Sequence, residues 1–117
     1  MFEVNGNQIK MTEGDYGITL PIEIEFDETT VVSSVDIFRI TIYTRVNSAP
    51  IITKSYTPLQ NNTIQLKFTQ AESQLLTIGR YLYDLDWYDG TTFMCNILKE
   101  ESFIVTEKAG LIYASQN

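Results

Sequence analysis

The residues in this chain best equipped for chemistry are carboxylates. Asp84, Asp86 and Asp89 stand close together. Carboxylates at alternate positions can converge on a hard cation such as calcium. On a strand, however, Asp84 and Asp86 project from one face roughly 7 Å apart. No matching ligand loop follows, so a solvated polar face is expected there, with no metal. Glu23 and Glu25 pose the same question for glycoside hydrolysis. That reaction needs two carboxyls across a cleft, one with a raised pKa, and one exposed strand face supplies neither. Cys95 is the single cysteine, and the chain has no histidine. Ser–His and Cys–His dyads and histidine-based zinc sites are therefore excluded, and so is a disulfide within the chain. The expectation is a non-enzymatic protein without a cofactor.

A second kind of chemistry is stacking and docking. Tyr43, Tyr88 and Phe93 could form an exposed aromatic patch, which would mark either a partner surface or a sugar platform. Whether they meet depends on the strands that carry them.

The carrier is the stretch 78–93, which alternates with period two. Tyr81, Tyr83, Leu85 and Trp87 share one face, and Arg80, Leu82, Asp84, Asp86 and Tyr88 the other. This is a strand with one buried face, and its large aromatics should nucleate the core, Trp87 mostly buried within it. Gly79 returns the chain into this strand. Tyr81, just inside it, fits a tyrosine corner, where the hydroxyl bonds to backbone upstream. Asp89-Gly90 predicts a two-residue turn into a partner strand over 91–99.

The remaining elements follow in order. Residues 1–12 suggest a small hairpin around Asn5-Gly6 or a bent first strand. Residues 18–26 place Ile18, Leu20, Ile22, Ile24 and Phe26 inward, with Pro21 marking an edge or bulge. Residues 36–46 place Phe38, Ile40, Ile42 and Val46 inward, and 51–56 and 64–68 alternate in turn. Thr69 and Glu72 are spaced as a capping box opening a short helix, with Leu75 or Leu76 facing the core. Glu100-Glu101 marks a turn, and Phe103 begins a last strand. The sum is an all-β, immunoglobulin-like antiparallel β-sandwich of about seven to nine strands with one helical turn. It forms one domain over 1–107, followed by a tail over 108–117.

Eight basic against fifteen acidic residues give a net charge of −7. That argues against nucleic acid, whose phosphates need clustered Lys and Arg. No apolar run approaches a membrane span. The first residues lack the basic start and apolar block of a signal peptide, so a cytoplasmic beginning is expected.

Several motifs in sequence bear on identity. They are Thr12-Glu13-Gly14-Asp15 before an apolar strand, Val35-Asp36-Ile37-Phe38-Arg39-Ile40, Thr69-Gln70-Ala71-Glu72, Gly79-Arg80-Tyr81-Leu82-Tyr83-Asp84-Leu85, and Phe103-Ile104-Val105-Thr106. Their order over residues 8–106 resembles the N-terminal immunoglobulin-like domain of tailed-phage baseplate upper proteins and related small phage tail proteins. The resemblance implies a virion structural protein that contacts other virion proteins or copies of itself. It would be made in the host cytoplasm and then held in the tail or capsid. It transfers no catalytic residue. The alternative expectation is a small carbohydrate-binding or adhesion module using Tyr43, Tyr88, Trp87 or Phe93.

Overall fold

A computed structural model describes residues 3–26, 29, 30, 32–57, 59 and 61–107. Phe2, the Asp27-Glu28 loop, Pro58 and the tail 108–117 lie outside the described residues. The described residues are mainly β, with eight strands and one short helix. In order these are β1 Glu3–Asn5, β2 Gln8–Thr12, β3 Leu20–Glu23, β4 Asp36–Tyr43, β5 Ile52–Tyr56, β6 Thr63–Leu66, α1 Gln70–Leu75, β7 Gly79–Asp89 and β8 Thr92–Thr106. Six strands form one sheet in the order β1-β2-β8-β7-β4-β5, and β3 pairs with β6 in a second.

Apolar alternation drives both layers. Phe38, Ile40 and Ile42 of β4, Tyr83 and Leu85 of β7, and Phe103 and Val105 of β8 are buried on one face of the large sheet. Leu20, Ile64 and Leu66 from the small sheet join the same core. A period-two pattern buries a continuous stripe only if another layer covers it, and the two-stranded sheet is that cover.

The sheet is mixed rather than wholly antiparallel. β2 runs parallel to β8, with Ile9 opposite Phe103 and Met11 opposite Val105. β2 and β8 come from opposite ends of the chain, so no tight turn dictates their relative direction. Matching of buried faces fixes the register of the pair, since Ile9, Met11, Phe103 and Val105 are all buried.

Two turns differ from expectation. Asp89 pairs with Thr92, so the β7–β8 loop is Gly90-Thr91, one residue later than Asp89-Gly90. Gly90 holds φ +61°, the positive angle that the first loop position of a tight hairpin requires. Glu100-Glu101 does not end a strand either. Glu100 adopts φ +56° inside a continuous β8, where the pairing with β7 shifts register. A bulge absorbs the extra residue and lets the ladder continue.

Two apolar residues expected inward are exposed: Ile18 at 50% and Val46 at 51%. Each lies beyond its strand, because β3 begins only at Leu20 and β4 ends at Tyr43. Alternation holds only while pairing holds the pleat. The helix opens as its spacing predicts. Thr69 accepts from the Glu72 amide while the Glu72 side chain accepts from the Thr69 amide, and Leu76 at the C-cap is fully buried.

Candidate interaction surface

β7 and β8 bring together Tyr88 and Phe93 of the expected patch, and β4 holds Tyr43 apart from them. Tyr88 and Phe93 face each other across the hairpin end, rings edge-on with centroids 5.6 Å apart at 71°. The Arg39 guanidinium of β4 lies 4.5 Å from the Tyr88 ring centre, close enough for cation–π attraction. Phe93 is 51% exposed. Tyr43 is not part of this group, and it is buried rather than exposed. β4 pairs Ile37 with Tyr88 and Tyr43 with Leu82, which puts Tyr43 six residues, roughly 20 Å, from the patch. Its hydroxyl donates to Asp84 Oδ1 at 2.8 Å. Burial, then that carboxylate, raises the Tyr43 pKa.

Trp87 sits at the margin of the core, partly buried. It stacks on Phe38 at 5.8 Å and 20° and meets Phe26 edge-on at 5.6 Å. It therefore offers no open stacking face beside coplanar tyrosines. At the other end of β7, Gly79 holds φ +153°, an angle that side-chain-bearing residues rarely adopt. Two residues on, the Tyr81 hydroxyl donates to the Thr77 carbonyl at 2.8 Å. That bond ties the start of β7 to the loop leaving α1.

The carboxylates are engaged separately. Asp84 Oδ1 also accepts from the Glu100 amide at 2.8 Å, at the β8 bulge. Asp86 accepts from the Asn96 side chain. Burial, then the neighbouring Asp84 charge, pushes the Asp86 carboxyl up, with Asn96 working against them. Asp89 is exposed at the hairpin end. Among the described residues no group of three or more Asp, Glu, Cys or His side chains is arranged to hold a metal ion. Glu23 at the end of β3 and Glu25 just beyond it are both exposed, and Cys95 is exposed on β8.

Exposed neighbours that the sequence reading missed complete the surface. Val35 is 58% and Met94 51% exposed. The Trp87–Cys95 and Tyr88–Phe93 pairs skip Met94, so it is the extra residue of a bulge. The broken alternation in Phe93-Met94-Cys95-Asn96-Ile97-Leu98 is the signal that could have located it.

The strand edges matter as much as the side chains. β2 covers β8 only over residues 103–106. Among the described residues, no strand pairs with that edge of β8 over 92–102, and β3 pairs only with β6. Between these two edges lies an apolar groove of about 260 Å³, lined among others by Pro21, Ile22, Glu25, Leu85, Ile97 and Leu98. A second groove of about 470 Å³ runs past Tyr16, Lys54, Tyr56 and Phe68. Burial pushes the Tyr56 pKa up to about 12, partly offset by the Lys67 backbone.

No family model, no curated protein and no solved structure matches the chain.

Proposed function

We propose that this protein is a non-enzymatic structural and interaction module of a tailed bacteriophage or prophage particle, an adaptor or decoration in baseplate, tail or capsid. The observation that carries the docking role is the edge of β8 over residues 92–102, which no strand among the described residues pairs, beside the exposed Phe93 and Met94. An uncovered strand edge presents unpaired N–H and C=O groups, and such edges recruit strands from other chains. The phage assignment is supported by the resemblance of the ordered motifs over residues 8–106.

The same reading places the fold among immunoglobulin-like sandwiches. Taking β3 as B, β4 as C, β5 as C′, β6 as E, β7 as F and β8 as G, the pairings G-F-C-C′ and B-E follow the variable-type order. The Tyr81–Thr77 bond supports this, since it joins the start of the F-like strand to backbone upstream. The partners are virion proteins or further copies of the chain, met after synthesis in the host cytoplasm.

The test is mass spectrometry of purified particles. The chain is expected among virion components in constant stoichiometry. Its consistent absence, together with specific glycan binding by the purified protein, would overturn this reading in favour of a carbohydrate-binding module.

A further inference from the structure

We propose that the groove between β5 and the end of β6 is a binding site for a small aromatic carboxylate. This goes beyond the docking role above and does not depend on it. The groove holds about 470 Å³, within the range of small-molecule sites. Lys54 and Tyr56 of β5 lie opposite the buried Ile40 and Phe38 of β4. Residues paired in this way share a face, so both side chains stand on the core face of the large sheet. Phe68 is buried and supplies an apolar floor, while Tyr16 is 51% exposed beside it. The Gly17 amide donates to the Phe68 carbonyl at 3.0 Å and holds the Tyr16 loop at that position.

The donors identify the ligand. Tyr56 Oη is buried and has no hydrogen-bond partner among the described residues. The Lys67 backbone lowers the Tyr56 pKa, but burial dominates and pushes it up to about 12. The hydroxyl therefore keeps its proton and has no acceptor for it, which is costly for a buried group. Lys54 Nζ spends one N–H on Glu72 Oε1 at 2.8 Å and retains others to donate. Lys67 lines the same groove and is exposed. The nearby Glu72 is already engaged by Lys54 and by the Thr69 amide.

A phenol and two ammonium groups thus gather at an apolar floor with no acceptor left for them. A carboxylate brings two acceptor oxygens and the opposite charge. An aromatic body attached to it would cover Phe68 and meet the Tyr16 ring. The chain's net charge of −7 repels an anion at a distance, so the attraction must come from these short-range contacts. A neutral ring would fill the floor but leave both ammonium groups without their counter-charge.

Calorimetric titration of the full chain with naphthoate and with the uncharged naphthamide tests this. Naphthoate should bind, and naphthamide should bind roughly tenfold more weakly. Tyr56→Phe should weaken naphthoate by roughly tenfold. Its melting temperature should equal or exceed that of the wild type, because the substitution deletes an unpaired hydroxyl and orphans no partner. Lys67→Gln, at an exposed position, should weaken naphthoate severalfold and leave naphthamide unchanged. Absence of naphthoate binding at millimolar concentration overturns the proposal. So does equal affinity for acid and amide, or naphthoate affinity indifferent to both substitutions. A fall in the melting temperature of Tyr56→Phe would also overturn it, by showing that the hydroxyl has a partner within the fold. Particle mass spectrometry reads none of these quantities, so the virion reading and this site stand or fall separately.

Discussion

At the scale of single residues, hydroxyl and ring partners carry the argument. Tyr81 Oη donates to the Thr77 carbonyl at 2.8 Å and lies 3.2 Å from Thr77 Oγ1. Tyr81→Phe keeps the ring packing and leaves that carbonyl without its partner. The expected cost is about 1–2 kcal/mol, read from the urea midpoint. An unchanged midpoint would remove the corner from the account of stability. Trp87 reports on the other end of β7. Its stacking on Phe38 should shift its fluorescence emission to the blue of free tryptophan. Phe38 is fully buried, so Phe38→Ala should destabilise by about 3–5 kcal/mol. It should also move the emission toward the red. Emission at the wavelength of free tryptophan in the wild type would contradict this placement.

At the scale of elements, α1 shows how local chemistry and packing combine. Burial pushes the Glu72 carboxyl up, but its bonds to Lys54 and to the Thr69 amide outweigh burial, so its pKa falls below 4.5. A depressed folded-state value adds stability above the unfolded pKa, and that stability is lost as pH falls through the folded one. Glu72→Gln should therefore flatten the acid side of the stability profile below about pH 4.5. The Lys54–Glu72 pair at 2.8 Å is 20% and 26% exposed, so solvent screening keeps its contribution below about 1 kcal/mol. An acid limb identical in wild type and variant would show that the pair contributes nothing. Thr69→Ala, which removes the cap itself, should cost about 1 kcal/mol at neutral pH.

At the scale of the molecule, the two layers leave their edges unequal. β3 carries Pro21, which donates no backbone hydrogen bond, while β8 over residues 92–102 has no partner on its second edge among the described residues and carries register shifts and a left-handed Glu100 along that stretch. The Glu100 bulge and the outer-face carboxylates form one unit, because Asp84 accepts from both the Glu100 amide and the Tyr43 hydroxyl. With those lone pairs engaged, calcium should gain nothing from the folded state. Melting temperatures in chelator and in millimolar calcium should coincide, since a ligand specific for the native state must raise the transition. A clear rise in calcium would reinstate Asp84, Asp86 and Asp89 as ligands.

Period-two alternation with a single apolar face was enough to identify β4, β7 and the inward-facing Phe38, Ile40, Ile42, Tyr83 and Leu85, because burial on one side imposes that spacing locally. The Thr69–Glu72 cap was legible for the same reason, since both partners lie within one helical turn. Strand ends were less legible: Ile18 and Val46 continue the apolar rhythm beyond the pairing that gives it meaning. The parallel joining of β2 to β8, the bulge at Glu100, the parting of Tyr43 from Tyr88 and Phe93, and the groove between β3 and β8 were decided only in three dimensions. Each depends on which distant strand lies alongside, and short-range periodicity carries no information about that choice.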